Sequence, residues 1–280
     1  MHPVLFSFEV FGRTIPYYSY GSMLALAFIV GAGLACLNGR REGISAEQVF
    51  SLSLLILVAS LLGSRMLHVL MADSSEARVF SGAGGGFAFY GGLLGGILAA
   101  LAYCRLKSIP FLRMADTMAP SIALGQAIGR LGCLLAGCCW GRPARAPLPD
   151  WLSGAGSWDW PTGLAVTFLD PGTLGRQGIA LVPTQLASGV SCFGIFLVLW
   201  LMVRPRQSYP GQSLALYLLL YAPVRSFWEL FRGDPRGMYF GDLLSTSQLV
   251  SIPMFLLGLW LLLRGRTKHP GSVLKPQRTE

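Results

Sequence analysis
Three arginines stand where the surrounding sequence is apolar: Arg65 in GSRMLHVL, Arg130 in GRLGCLLAGCCWGR, and Arg225 in YAPVRSFWELFRGD, where Glu229 follows four residues later. An arginine near the middle of a bilayer costs about 2.5–3.5 kcal/mol on insertion scales, and less toward the interface. Each therefore needs a partner or a reason. One account is structural: Arg225 pairs with Glu229 at i,i+4, Arg130 pairs with Asp116, and the side chains reach outward to the headgroups. That account offers two acids for three arginines. The other is functional: planar guanidinium forks converge on an anion and grip a phosphate through paired hydrogen bonds. Excess positive charge within apolar helices implies an anionic lipid.

The stretch around Arg130 also carries Cys133, Cys138 and Cys139. At 100° per residue Arg130, Cys133, Gly137 and Gly141 share one helical face, while Cys138 and Cys139 point elsewhere for as long as the helix continues. Cys133 is then the thiol expected beside a ligand. Three readings of these cysteines stand: small buried hydrophobes, a disulfide joining Cys133 to Cys138 or Cys139 in an oxidising compartment, and a zinc site. The C-x4-C-C spacing is not a usual ligand set, and His68 is the only residue placed to complete it, so no metal is expected. His68, three residues after Arg65 and on about the same face, is either a hydrogen-bonded core histidine or a base. In FYGGLLGG, Tyr90 precedes Gly91, Gly92, Gly95 and Gly96. Small residues four apart suit close helix packing or the approach of an acyl chain.

The elements that must hold these groups are read from composition. Hydrophobic residues make up 53% of the 280 and charged residues 12%, with a mean hydropathy of +0.55; soluble domains carry roughly 25% charged residues. Apolar segments fall at 17–37, 48–71, 87–103, 114–140, 183–203, 213–231 and 249–263, near the length of about 20 residues that spans the hydrocarbon. They predict an all-α integral membrane protein of seven transmembrane helices, with residues 1–280 forming a single transmembrane domain. Arg40 and Arg41, then Arg105, Lys107 and Arg113, then Arg204 and Arg206, then the tail from Arg264 put positive charge after the first, third, fifth and seventh segments. The amino terminus is therefore expected outside and the basic tail, 264–280, inside. No Lys or Arg precedes Arg13, so the first segment lacks the basic region of a cleavable signal peptide and is expected to stay as an anchor. The net charge of +9 reads as topology and contact with anionic inner-leaflet lipid, not as a nucleic-acid footprint. Residues 141–182, with Trp151, Trp158 and Trp160, are long for a structureless connection and predict a small outer head at headgroup level.

In sum of its motifs the chain resembles the prolipoprotein diacylglyceryl transferase family over almost its whole length. IPYYSYGSMLALAF is similar to the first-helix motif and places the family's tyrosine at Tyr20; LGSRMLHVL places its arginine at Arg65. ADTMAPSIALGQAIGRLGCLLAGCCWGR resembles the fourth-helix signature, with Asp116, Arg130, Gly137 and Gly141. VPTQL carries Pro183, Thr184 and Gln185; the sixth block carries Arg225, Glu229 and Arg232; LLSTSQLVSIPM carries Ser247 and Gln248. The resemblance implies transfer of the diacylglyceryl group of phosphatidylglycerol to the lipobox cysteine thiol in the signal peptide of a preprolipoprotein, within the bacterial cytoplasmic (inner) membrane. A thioether forms, glycerol phosphate leaves, and no metal or soluble cofactor is required. The partners are those two substrates and membrane lipids, with no nucleic acid.

On that resemblance Arg130 and Arg225 bind the phosphate and stabilise the leaving group. Arg65 and Glu229 orient them, and Tyr20, Cys133, Gly137, Gly141 and Gln185 line the lipid site. The sequence departs from the family at Tyr90, where a histidine is usual, and at Cys133, where an asparagine is usual. Tyrosine, with an ordinary pKa near 10, is a poor base at neutral pH; either His68 supplies the base or Tyr90 positions the lipid through its hydroxyl. These departures leave two further readings open: a diverged paralogue with another acceptor, and an inactive lipid-binding membrane protein.

Overall fold
A computed structural model describes residues 3–10, 13–71, 89–144, 160–234, 238–239 and 244–268. Trp151 and Trp158 of the expected head and the tail after residue 268 lie outside the described residues.

The chain opens with an antiparallel hairpin, β1 (Val4–Val10) and β2 (Arg13–Tyr18), not foreseen in the all-helical expectation. Phe6 and Tyr17 stack across it at 4.7 Å, a cross-strand aromatic pair of the kind that supports two strands. Ser19 then starts α1 (Ser19–Arg41) with its N–H and hydroxyl both on the Pro3 carbonyl, at 2.9 and 3.1 Å. Next come α2 (Ala46–Met71), α3 (Phe89–Leu106) and α4 (Phe111–Ala136). After the two-residue strands β3 (Val166–Thr167) and β4 (Ala180–Leu181), α5 (Thr184–Leu197) runs on through a π-helical turn, Val198–Val203, to Arg206. α6 (Gln212–Glu229), the short pair β5 (Met238–Tyr239) and β6 (Leu244–Ser245), and α7 (Thr246–Lys268) complete it.

Two of these starts are legible as capping boxes. In S-A-E-Q, Ser45 Oγ accepts from the Gln48 N–H at 3.2 Å while Gln48 Oε1 accepts from the Ser45 N–H at 3.3 Å. The same exchange joins Ser245 and Gln248 ahead of α7. Reciprocal bonds satisfy two otherwise orphaned groups at the helix start.

Among the described residues five helices are long and apolar enough to cross a membrane: Ser19–Arg41, Ala46–Leu70, Phe111–Ala136, Thr184–Arg206 and Thr246–Thr267, with Tyr90–Leu106 a shorter apolar helix. α6, at 18 residues, includes Gln212, Ser213, Arg225 and Glu229, which lower its hydropathy. Ile29, Leu62, Leu98, Val190 and Leu256 are exposed, as apolar side chains facing lipid tails would be. The fourth helix stops at Ala136 and not near residue 140.

The chain forms two compact units, one of residues 32–118 and the other of residues 1–31 with 119–280. The 32–118 unit has a core of Ala35, Ile44, Val49, Leu52, Cys104 and Met114. Its α2 and α3 meet backbone to backbone: a Cβ on Gly91 would overlap the Gly63 carbonyl oxygen, and a Cβ on Gly96 would lie 2.7 Å from Ser60 Oγ. The glycines after Tyr90 are thus used in helix packing, where small residues let backbones approach. In the other unit, the opening of α1 lies along α4, with Gly31 near the Ser121 carbonyl and Gly125 near that of Ala27.

The Gly91→Ala protein is expected to lose about 1–3 kcal/mol through overpacking. Gly33→Ala, where an added methyl meets nothing within 4 Å, should be neutral or slightly stabilising. Thermal unfolding of the two variants in one detergent checks the contrast.

Candidate active site
α4 ends where Gly137 takes φ +72, a left-handed conformation that only glycine adopts without penalty. The Gly137 N–H bonds the Leu134 carbonyl at 3.3 Å and the Cys138 N–H reaches the Cys133 carbonyl at 3.1 Å. These are the two bonds of a Schellman motif, in which the residues at the Cys133 and Cys138 positions come into contact. Cys139, at φ +59, turns the chain once more. The sulfurs of Cys133, Cys138 and Cys139 consequently lie within 4.8 Å of one another. Because the helix does not continue, Cys138 and Cys139 rejoin Cys133, and Gly137 and Gly141 leave the helical face that carries Arg130.

The segment after the turn is tied on both sides. Gln185 Nε2 donates to the Cys138 carbonyl and Thr184 Oγ1 to the Cys139 carbonyl, each at 2.9 Å, and both side chains are fully buried. Arg142 N–H bonds the Phe231 carbonyl at 2.9 Å, Gly233 N–H bonds the Trp140 carbonyl at 3.1 Å, and Val182 N–H bonds the Arg142 carbonyl at 3.0 Å. A Cβ on Gly141 would overlap the Val182 carbonyl oxygen. Gly141 and Gln185 thus hold backbone together at the ends of α4, α5 and α6.

Beside this turn the arginines gather. Arg130 lies within electrostatic reach of Tyr221 of α6 and of Cys133, Cys139 and Arg232. Arg225 is paired with Glu229 and lies within reach of Tyr221 and Arg130. Arg232 is held by Asp234 through two bonds, Nε to Oδ1 at 2.9 Å and Nη2 to Oδ2 at 2.8 Å. Among the described residues Arg130 makes no ion pair with a carboxylate; Asp116 stands about four turns back along α4. The pairing of Arg225 with Glu229 thus matches one half of the structural account, and that of Arg130 with Asp116 does not occur. Tyr20, at the start of α1, lies with its ring edge against Gly132 and within reach of the three cysteines and Arg130.

Outside the helices the charges support one another. Burial works against the Arg232 cation, but Asp234 and the Cys139 sulfur outweigh it and hold the guanidinium charged. Hydrogen bonds from the Cys133 and Cys138 thiols, with Arg232 beside them, hold Cys139 well below the ordinary thiol range. Thiol-to-thiolate bonding and a neighbouring cation both favour the ionised form.

Tyr221 and Gln126 are site residues that the motifs did not single out. Gln126 Oε1 accepts from Tyr217 at 3.0 Å, and the Tyr217 ring stacks on Tyr221 with centroids 5.5 Å apart. The signal was present: Tyr217, Tyr221, Arg225 and Glu229 recur every four residues, which aligns them along one face of α6. Trp228 Nε1 donates to Ser191 Oγ at 3.0 Å, tying α6 to α5. Arg65 and His68 on α2 and Tyr90 on α3 belong to the 32–118 unit. There Arg65 and Tyr90 flank the crossing at which Gly63 meets Gly91.

Apolar helices of spanning length that hold, among the described residues, an arginine without a carboxylate beside a second arginine mark a membrane-type helical protein. The profile of the prolipoprotein diacylglyceryl transferase family matches residues 3–264, and the chain belongs to that family. It is 32% identical over 265 residues to the phosphatidylglycerol–prolipoprotein diacylglyceryl transferase of Clostridium tetani, covering 93% of this chain and 96% of the relative. It is 34% identical over 263 residues to the second such transferase of Clostridium perfringens, covering 90% and 92%. With that of Legionella pneumophila it shares 31% over 273 residues, covering 93% and 96%.

Replacing Gln185 by Met keeps the volume but leaves the Cys138 carbonyl without its donor. A loss of about 1–3 kcal/mol is expected, read as a lower unfolding temperature in detergent.

Proposed function
We infer that this chain transfers the diacylglyceryl group of phosphatidylglycerol to the cysteine thiol of a prolipoprotein lipobox and releases glycerol phosphate. The observation that carries this reading is Arg130: a permanent cation among apolar helices that pairs with no carboxylate among the described residues and lies within electrostatic reach of Tyr221 and Arg225. A phosphodiester carries one negative charge, and a second develops on the phosphate as its bond to the glyceryl carbon breaks. Fixed guanidiniums aimed at that oxygen stabilise the charge where it forms. Arg130 and Arg225 bind the phosphate, Glu229 keeps the Arg225 fork oriented, and Tyr221 lies within reach of both arginines. Tyr20 lines the same site. Gly137, Gly141 and Gln185 serve it by setting the turn that folds Cys138 and Cys139 onto Cys133.

Arg65, His68 and Tyr90 lie in the 32–118 unit, and their roles rest on the resemblance alone: Arg65 as an orienting residue, and either His68 as the base or Tyr90 as the hydroxyl that positions the lipid. The chain is assigned seven spans, α1 to α7, in the bacterial inner membrane, with the amino terminus outside, the segment 141–182 as an outer head and the tail 264–280 in the cytoplasm. Basic residues in the last turns of α1 and α3, Arg40, Arg41 and Arg105, and Arg204 and Arg206 at the end of the fifth span support that orientation.

The test is reconstitution with phosphatidylglycerol and a lipobox peptide, reading glycerol phosphate release and peptide mass together. Arg130→Ala and Arg225→Ala are each expected to slow release about 10²–10³-fold. Arg130→Lys should recover only part of it, because an ammonium cannot form the bidentate grip. Full activity in both alanine variants would remove the phosphate clamp from this reading. Tyr90→His is expected to keep or raise activity.

A further inference from the structure
We propose that Cys133, Cys138 and Cys139 form a three-thiolate zinc site beside Arg130, and that the acceptor thiol binds the zinc as its fourth ligand. The second half rests on the transferase reading above; the first half does not.

The geometry comes first. A tetrahedral zinc with Zn–S bonds of about 2.3 Å sets its sulfurs about 3.8 Å apart. Three sulfurs already within 4.8 Å of one another need only small side-chain rotations to reach that spacing. They are gathered by the left-handed Gly137 and Cys139 and held there by two buried side chains that bond the carbonyls of Cys138 and Cys139. Small hydrophobes would not need two guanidiniums within electrostatic reach, yet Arg130 and Arg232 are there. Positive charge next to three thiolates offsets the charge that they bring to a divalent ion. A disulfide would use two of the sulfurs and leave the third unexplained.

The ligand count points to chemistry. Among the described residues no histidine or carboxylate joins the three sulfurs, and zinc sites with three protein ligands keep the fourth position for water or substrate. The reaction needs a sulfur nucleophile, and a thiol that coordinates zinc is deprotonated outright. In the balanced step the acceptor thiol loses its proton to water on binding zinc. Its sulfur then forms an S–C bond to the glyceryl carbon as the C–O bond to phosphate breaks. The bonding pair leaves with the phosphate, held by Arg130, and glycerol phosphate takes up a proton from water. Zinc keeps its oxidation state, and the thioether product, a weaker ligand than thiolate, dissociates.

The full-length protein is purified under reducing conditions, and its zinc content is measured by elemental analysis. One zinc per chain is expected, falling away in Cys133→Ser, Cys138→Ser and Cys139→Ser. Because a serine variant can fail to fold, the wild-type protein is also stripped with a chelator and reloaded, and its unfolding temperature should fall and then recover. With cobalt(II) in place of zinc, a lipobox peptide should shift the visible bands and its Cys→Ser analogue should not. Zinc-free protein with three titratable thiols, or a disulfide between Cys133 and either neighbour in protein isolated without reductant, overturns the site. Bound zinc with cobalt bands indifferent to the peptide, in protein that still releases glycerol phosphate, overturns the acceptor ligation. Bound zinc and a peptide-dependent shift without glycerol phosphate release uphold the site and sink the transferase reading instead.

Discussion
A guanidinium cannot shed its proton to ease burial, so an arginine among apolar helices constrains whatever surrounds it. Around Arg130 the neighbours that favour the cation are Tyr221 and the sulfurs of Cys133 and Cys139, and among the described residues no carboxylate pairs with it. Arg225 and Arg232, by contrast, each carry an acid of their own. The difference matters because a carboxylate neutralises the cation that it pairs with, whereas a cation without one keeps more of its attraction for an incoming anion. The α6 face of Tyr217, Tyr221, Arg225 and Glu229, braced by Gln126 and by Trp228 on Ser191, keeps the neighbouring groups in place without supplying that missing charge.

The end of α4 is the second condition on which the site depends. A helix carried on to residue 140 would spread the three cysteines around its circumference. The Schellman turn at Gly137 instead folds Cys138 onto Cys133, and the left-handed Cys139 adds the third sulfur. The returning chain then lies between the start of α5 and the end of α6, where Gly141 admits the Val182 carbonyl and Gln185 and Thr184 take up free carbonyls. Buried backbone polar groups have to be satisfied in such a setting, which accounts for two fully buried polar side chains at the mouth of α5. Residues that a motif comparison assigns to substrate therefore have a prior task in the backbone.

In the unit of residues 32–118 the governing contact is different. Gly63 against Gly91 and Ala59 against Gly95 bring α2 and α3 together through their backbones. Lipid tails are as apolar as leucine, so burial of apolar surface alone does not hold such helices together, and close van der Waals contact does. The glycine run after Tyr90 serves this crossing first, and it sets where Tyr90 and Arg65 emerge beside it.

The helices themselves were largely legible in the sequence, since apolar runs of spanning length, the capping boxes at Ser45 and Ser245 and the basic last turns depend on nearest neighbours along the chain. The arginines Arg130 and Arg225 and the ion pair of Arg225 with Glu229 could also be read there, because a charge in an apolar run stands out and an i,i+4 spacing fixes a neighbour. The amino-terminal hairpin was not, as its pairing of Phe6 with Tyr17 rests on a turn and a cross-strand register that apolar content does not report. The partner of Arg130 was equally hidden: Asp116 looked available by charge, and Tyr221, more than 90 residues away in the chain, was brought up by helix packing. What the sequence by itself determined was which residues have an incompatible or unusual chemistry for their surroundings. Only the tertiary structure decided which of them meet, because the left-handed Gly137 and Cys139 turn two thiols back toward a third on α4 and no periodicity extends through that turn.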